Sequence, residues 1–120
     1  MKPVHRSLAI LGMAKKAGLL VAGAEAAAHA ARRGKARLII TASDASETSI
    51  RRAKSNAEVN RVKYSATPFT MLQLGIYAGR GSPGTIAFLD KGLADEFIKK
   101  MAETEDKSKA NAKDKKESDA

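Results

Sequence analysis

The sequence of 120 residues contains no cysteine and no tryptophan, and only three phenylalanines and two tyrosines. The absence of cysteine excludes a disulfide framework and any metal site built on thiolates. Because aromatic residues are so few, a platform on which single-stranded bases stack is not predicted. The sequence also lacks the run of about 18 apolar residues that a membrane-spanning helix requires. We therefore expect a cytoplasmic protein that does not associate with a membrane and binds neither a metal nor a cofactor.

Acidic residues are scarce relative to basic ones. The chain has 22 Lys and Arg against 13 Asp and Glu, which gives a net charge of +9. Residues 1–102 hold 17 basic and 7 acidic side chains, whereas residues 103–120 hold 5 and 6. The positive charge therefore belongs to the first part of the chain, where it indicates a polyanionic partner. Improved solubility is the alternative explanation of the same charge.

One compact domain is predicted over residues 1–102, followed by a disordered charged tail over residues 103–120. The tail has no large apolar side chain, so it cannot bury enough surface to offset the entropy of ordering. Within the domain, helix-like and strand-like patterns alternate, which is typical of a layered α/β fold. Helices are predicted over 4–17 and 23–33, and strands over 19–21, 36–42, 62–66 and 85–89.

Capping residues predict the starts of three further helices. Asp44 followed by Glu47 has the spacing of a capping box. Thr67 followed by Pro68 predicts an N-cap residue with proline in the first helical position. Asp90 is predicted to cap a last helix.

The motifs typical of enzymes are missing from the two glycine-containing turns, at residues 20–26 and 77–85. The second turn lacks the Gly-Lys-Ser/Thr ending of a phosphate-binding loop and leads into a strand, and it lacks the context of a dinucleotide fingerprint. A catalytic Asp44 acting with a nearby serine is also disfavoured, since no base is positioned to activate the serine. We therefore predict that the protein is not an enzyme.

The first turn leads into a helix that begins at Gly23 and offers unpaired backbone N–H groups to a phosphate or a base edge. Basic residues could surround this helix start if the two glycine-containing turns lie at the same end of the sheet. These residues are Lys15, Lys16, Arg32, Arg33, Lys35, Arg37 and Arg80.

Two long segments, "LGMAKKAGLLVAGAEAAAHAARRGKARLIITASDASE" and "LGIYAGRGSPGTIAFLDKGLADEFI", resemble the kink-turn-binding ribosomal protein family of archaea and eukaryotes, and within it the bacterial YlxQ-like branch. The resemblance covers about residues 5–101. It implies a three-layer α/β/α sandwich with a mixed four-stranded sheet. It also implies binding to kinked RNA, in which a helix start and a neighbouring loop enter the groove at the bend.

The resemblance also implies which residues contact RNA. Gly23 falls at the helix start, Glu25 where archaeal members have asparagine, His29 where many have lysine, and Arg37 at a basic position before the central strand. The loop 78–84 corresponds to the segment that covers an extruded nucleotide. Ala26 and the 80–83 segment depart from the family pattern. The predicted RNA-binding residues are Gly23, Ala24, Glu25, His29, Arg33, Lys35, Arg37, Ala78, Arg80, Gly81, Ser82 and Pro83.

The predicted function is that of a non-catalytic, monomeric RNA-binding protein, ribosomal or ribosome-associated, that recognises kinked, structured RNA. Phosphate contacts would position the RNA, while Glu25, His29 and the 78–84 loop would provide selectivity. Two alternatives stay open: a protein-interaction module on a ribonucleoprotein, and an RNA-binding accessory domain to an RNA-modifying enzyme.

Overall fold

A computed structural model describes residues 5–79 and 81–103 of the chain. Within these residues the helices are α1 (Arg6–Lys16), α2 (Ala24–Arg32), α3 (Glu47–Val59) and α4 (Met71–Ala78), and residues 91–103 form α5. The strands are β1 (Leu20–Ala22), β2 (Leu38–Thr41), β3 (Lys63–Ala66) and β4 (Thr85–Phe88).

The four strands form one mixed sheet in the order β1-β4-β2-β3. Strand β4 is antiparallel to both of its neighbours, β1 and β2, whereas β3 is parallel to β2. Every residue of the two central strands, β2 and β4, is buried. This arrangement confirms the predicted α/β fold with a mixed four-stranded sheet.

Helices cover both faces of the sheet, and the two faces differ in the size of their side chains. The face under α1, α4 and α5 is filled by large residues, and the rings of Phe88 and Phe97 lie with their centroids 5.0 Å apart. The face under α2 and α3 is packed mainly by alanine. Because alanine is small, these two helices approach the sheet closely. The buried alanines of this face are Ala27, Ala30, Ala31, Ala36, Ala53, Ala57 and Ala87.

The predicted start of α3 at Asp44 is wrong. Ser46 is the N-cap residue, and its hydroxyl accepts a hydrogen bond from the N–H of Ser49 at 3.0 Å. The carboxylate of Asp44 instead accepts a hydrogen bond from the N–H of Met71 at 2.8 Å. Asp44 therefore connects the loop after β2 to the first residue of α4 rather than starting α3.

The predicted start of α4 at Thr67 and Pro68 is also wrong. The Thr67 hydroxyl donates to the carbonyl of Thr41 at 2.9 Å, so Thr67 extends the pairing of β3 with β2. Helix α4 begins later, after Thr70, which forms a capping box with Gln73. The extended chain between these points brings Phe69 into the core, where the residue is 5% exposed.

The other predicted elements are confirmed to within a few residues. Asp90 caps α5 by accepting a hydrogen bond from the N–H of Leu93 at 2.9 Å. The predicted beginning of α1 at residue 4 lies outside the described residues, as do residues 104–120, which hold nearly all of the predicted tail.

Candidate nucleic-acid interface

Strands β1, β2 and β3 run in the same direction, so their carboxyl ends lie at one end of the sheet, where α2, α3 and α4 begin. Two backbone hydrogen bonds connect the segments there. The N–H of Gly23 donates to the carbonyl of Thr85 at 2.8 Å, and the N–H of Ala42 donates to the carbonyl of Gly84 at 2.9 Å. We define the groove end as residues 22–25, 42–47 and 81–85.

An open groove with a volume of about 260 Å³ lies between the start of α2 and the loop that precedes β4. The two glycine-containing turns singled out in the sequence therefore meet at one end of the sheet. Apart from one serine hydroxyl, the groove offers backbone groups and small apolar side chains, so a ligand can approach the main chain closely. The lining residues are Ala22, Gly23, Gly81, Ser82 and Pro83.

Gly23 has a backbone conformation that other residues rarely adopt, with φ 111° and ψ 148°. No heavy atom outside its chain neighbours lies within 4 Å of the position that an added Cβ would take. The requirement for glycine is therefore conformational rather than steric. The open space beside Gly23 belongs to the groove, where an added side chain would meet a ligand.

Helix α2 differs from the other described helices in the capping of its first turn. Side chains cap the other four helix starts, and Gly23 has no side chain with which to do so. The first N–H groups of α2 have no acceptor within the helix and are directed out of its start. They thus lie beside the groove without a side-chain cap. The caps of α1, α3, α4 and α5 are His5, Ser46, Thr70 and Asp90.

The loop on the far side of the groove is packed against a glycine of α4. A Cβ on Gly75 would lie 1.9 Å from the carbonyl oxygen of Gly81, well inside van der Waals contact. Only glycine at this position lets the loop backbone lie this close to the helix. Gly75 thus fixes where Gly81, Ser82 and Pro83 stand relative to Gly23.

Glu25, in the first turn of α2, forms an ion pair with Arg52 of α3, with a nitrogen to oxygen distance of 2.5 Å. Both side chains are largely exposed. The hydrogen bond from Arg52, together with its positive charge, lowers the pKa of Glu25, and Arg32 adds a smaller effect. The sequence did not reveal Arg52 as the partner of Glu25, because the two residues are 27 positions apart and no spacing rule connects them.

His29 and Arg33 are exposed and continue the surface of α2 away from the groove. Residues four apart on a helix lie above one another, so Glu25, His29 and Arg33 form one stripe on the solvent side. The opposite side of α2 carries the buried alanines. The stripe is therefore a polar surface that extends from the groove along α2.

Lys35 and Arg37 lie at the opposite end of the sheet from the groove. The N–H of Arg37 donates to the carbonyl of Phe88, the last residue of β4, whereas Gly23 bonds to Thr85, the first. These two points are about 10 Å apart along the strand. The expectation that Arg33, Lys35 and Arg37 surround the start of α2 is therefore wrong. Contact between these three residues and RNA remains a prediction, but it would occur on surfaces away from the start of α2.

The remaining predicted residues of the loop differ in their accessibility. Ala78 is the last residue of α4 and is 1% exposed, so its side chain belongs to the core. Gly81 and Ser82 are exposed, and Pro83 is half-buried. Arg80 lies outside the described residues. Lys15 lies beside the loop, with its Cε 3.0 Å from the position of a Cβ on Gly79.

Residues 5–79 and 81–103 contain no group of three or more histidine, aspartate or glutamate side chains arranged to hold a metal ion. In the same ranges, no helix has the length and hydropathy needed to cross a bilayer. The pKa of Glu25 and that of Asp95 are both lowered by an exposed cationic partner, Arg52 and Lys91 respectively. These are surface ion pairs, not the buried titratable groups that mark many catalytic sites.

Comparison with known protein families finds one matching family model. Residues 7–98 match the model described as the Ribosomal protein L7Ae/L30e/S12e/Gadd45 family. No curated protein matches the sequence.

Solved structures share the fold at low sequence identity. A protein with unknown function from Bacillus halodurans superposes with a TM-score of 0.76 at 21% identity, over 82% of this chain and 99% of that one. The 15.5kD RNA binding protein of Giardia lamblia superposes with a TM-score of 0.64 at 20% identity, over 82% of this chain and 83% of that one.

Proposed function

The chain belongs to the Ribosomal protein L7Ae/L30e/S12e/Gadd45 family, and from this membership we propose that it is a non-catalytic protein that binds kinked, structured RNA. We further propose that it acts as a monomer in the cytoplasm, as a ribosomal protein or a factor associated with the ribosome. The similarity of its fold to an RNA binding protein from Giardia lamblia supports RNA as the ligand.

The uncapped start of α2 beside the groove is the observation that carries this proposal. A helix start with free N–H groups and a partial positive charge binds anionic or hydrogen-bond-accepting groups. The absence of a side chain at Gly23 lets such a group reach the backbone. At each of the four capped helix starts, a side chain already occupies one of the first-turn N–H groups, whereas no side chain does so at the start of α2.

The shape of the groove favours RNA that has a bend. The groove is open to solvent and lined by small side chains, so an unstacked base can lie against its backbone without meeting a large side chain. A straight duplex keeps its bases stacked and has no nucleotide to place there. A bent RNA with an extruded nucleotide can fill the groove while its stem lies along Glu25, His29 and Arg33.

The direct test is a titration of the purified protein with a kink-turn RNA and with a straight duplex of equal length, at two salt concentrations. We expect the kinked RNA to bind at least tenfold more tightly, a difference of about 1.4 kcal/mol. We also expect the affinity to fall as salt increases, because phosphate contacts release counterions. Equal affinity for the two RNAs would contradict selection of the bend.

A pair of glycine variants assigns that selectivity to the groove. Gly23→Val should lower the affinity for the kinked RNA at least tenfold and should cost about 1–3 kcal/mol of folding free energy, because the backbone there is strained for valine. Gly34→Val is the matched control: φ is 72° there, open space surrounds the position, and it lies beyond the other end of α2. It should cost stability but leave the preference for kinked RNA intact.

A protein-interaction surface is the second candidate, and exposed apolar residues on α4 favour it. Leu72 and Ile76 are each 67% exposed and lie one helical turn apart. If neither RNA binds, this surface becomes the better explanation. In that case Leu72→Ser with Ile76→Ser should raise the solubility of the protein. The circular dichroism spectrum should stay unchanged, because neither side chain belongs to the core.

A further inference from the structure

The end of the sheet opposite the groove carries a concentration of positive charge. Its segments come together through the sheet, where Arg37 donates to Phe88 and Leu38 pairs with Lys63. From strand spacing and rise, the backbones of Arg37 and Lys63 lie about 6 Å apart. We define the basic end as residues 33–37, 59–63 and 88–91.

The charge balance of the basic end is strongly one-sided. Its segments hold six basic residues and one acidic residue, Asp90, whose carboxylate caps α5. The basic residues are Arg33, Lys35, Arg37, Arg61, Lys63 and Lys91.

Two further carboxylates stand nearby. Glu58 is exposed and directly precedes the segment 59–63, and its carbonyl accepts a hydrogen bond from the N–H of Arg61 at 3.2 Å. Asp95 of α5 accepts a hydrogen bond from Lys91 at 2.8 Å. The positive charges of Lys91 and Lys63 also help to lower the pKa of Asp95, which places Lys63 near this pair. Even with Glu58, Asp90 and Asp95 counted, the basic residues outnumber the acidic ones by two to one.

Stabilisation of helix ends does not account for this cluster. Cations near the carboxyl end of a helix are favourable, which explains Arg33 at the end of α2. Lys63 begins a strand, and Lys91 begins a helix, where a cation is unfavourable to the helix dipole. Arg61 adopts a positive φ of 59°, outside any helix. Lys91 is already paired with Asp95, so the part of the cluster that an external anion would best explain is Arg37, Arg61 and Lys63.

The surface composition favours nucleic acid over an acidic protein. Protein interfaces usually have an apolar core. Of the large apolar side chains that are exposed in the described residues, only Val59 belongs to the segments of the basic end. Six arginine and lysine residues with one exposed apolar neighbour are a composition closer to that expected for contacts with phosphates.

We infer that the basic end is a second RNA-binding surface, which contacts the phosphates of a duplex without reading its sequence, so that one molecule can hold two RNA segments at once. The two surfaces are separated by the length of β2, about 13 Å. This surface does not depend on the uncapped helix start, so it can be tested even if the groove has another ligand.

The first experiment measures binding of a straight RNA duplex to three variants. Lys35→Gln with Arg37→Gln and Lys63→Gln removes three charges from the basic end. Arg6→Gln with Lys54→Gln and Lys99→Gln removes the same charge from exposed positions outside the segments of the basic end and serves as the control for net charge. Of these cations, Arg6 pairs with Glu103 and Lys54 lies over the ring of Tyr64. Gly23→Val reports on the groove.

The basic-end variant should bind the duplex at least fivefold more weakly. Its log–log salt slope should be less steep by about 2 to 3, because each cation that no longer neutralises a phosphate reduces the slope by about one unit. The control and Gly23→Val should bind nearly as the parent protein does. Equal losses in the basic-end variant and the control would overturn the inference, because only net charge would then matter. If the triple variant unfolds, as judged by its urea midpoint, Lys35→Gln with Lys63→Gln replaces it.

The second experiment tests simultaneous binding. Kink-turn RNA is immobilised and saturated with protein, and a fluorescent straight duplex is then added. The parent protein and the control variant with Arg6, Lys54 and Lys99 replaced should recruit the duplex. The basic-end variant should not. If the parent protein fails to recruit the duplex, simultaneous binding is overturned. Binding of the kinked RNA by itself would still test the groove.

Discussion

The two ends of the sheet differ in both charge and backbone. At the groove end, the three defining segments carry the acidic residues Glu25, Asp44 and Glu47 and no described cation of their own. Arg51 and Arg52 of α3 reach Glu47 and Glu25 as ion-pair partners. At the basic end, six cations face one carboxylate within the defining segments. The groove end thus presents backbone donors in a shaped cleft, and the basic end presents side-chain charge.

This difference separates two ways of binding RNA. Backbone N–H groups at a fixed position discriminate between shapes, because only a nucleotide that fits the groove can reach them. Side-chain cations attract any phosphate backbone and depend strongly on salt. Net charge and local geometry therefore point to different places on the same small domain. Substitutions at one end should alter selectivity, and substitutions at the other should alter general affinity.

The largest expected effect comes from moving the loop that forms one wall of the groove. In Gly75→Ala, the added Cβ would meet the carbonyl oxygen of Gly81, so the loop must shift. We expect a loss of about 1–3 kcal/mol in folding free energy, as for other overpacked positions. Preference for kinked RNA should fall, while duplex binding at the basic end should be unchanged. Urea denaturation and the paired RNA titrations measure these effects.

A glycine with room beside it is the control for this substitution. Gly12 lies inside α1, and an added Cβ would make an ordinary 3.7 Å contact with the ring of Tyr77. Gly12→Ala should therefore stabilise the protein by about 0.5–1 kcal/mol through helix propensity and leave RNA selectivity unchanged. Loss of selectivity in both variants would count against a specific role of the loop position.

A smaller effect on stability should follow from removing a helix cap at the groove end. Ser46→Ala deletes the acceptor for the N–H of Ser49 and should cost about 1 kcal/mol of folding free energy. Because the α3 start is capped internally, we expect the affinity for kinked RNA to change by less than about twofold. A tenfold loss of RNA affinity in a folded variant would show that the capped start of α3 also contacts the ligand.

The smallest effect is expected at the ion pair that flanks the groove. Arg52→Gln leaves the Glu25 carboxylate unpaired near RNA phosphates, so affinity should fall and the salt slope should change by about 1. Glu25→Gln frees Arg52 for phosphate, so affinity for the kinked RNA should rise while affinity for the straight duplex changes little. If Glu25→Gln instead weakens kinked RNA alone, Glu25 reads a base edge directly. Fluorescence titrations of the two RNAs distinguish these results.

Hydrophobic pattern predicts most of the helices and strands because burial in a layered domain follows local periodicity, whereas the three-layer sandwich with a mixed sheet is what the family resemblance implies. The buried run at β2 and the alanine side of α2 are visible in the sequence without tertiary information. Helix starts at Asp44 and Thr67 were mispredicted because their side chains bond across the fold, to Met71 and Thr41 respectively. A capping pattern cannot reveal such competition from residues distant in sequence.

The candidate site was only partly predictable for the same reason. The glycines at 23 and 81 mark the two turns that meet at the groove, and local sequence sufficed to find them. The placement of Lys35 and Arg37 depended on strand direction, and the partner of Glu25 depended on how α3 packs beside α2. Neither can be read from spacing along the chain.

Mapping backbone amide shifts by ¹⁵N NMR during titration with kink-turn RNA tests the central claim most directly. The account predicts the largest changes at Gly23, Ala24, Glu25, Gly81 and Ser82, with little change at the capped starts marked by Ser49 and Gln73. Large shifts at the capped starts, with none from Gly23 to Glu25, would contradict the assignment of the groove as the site that recognises bent RNA.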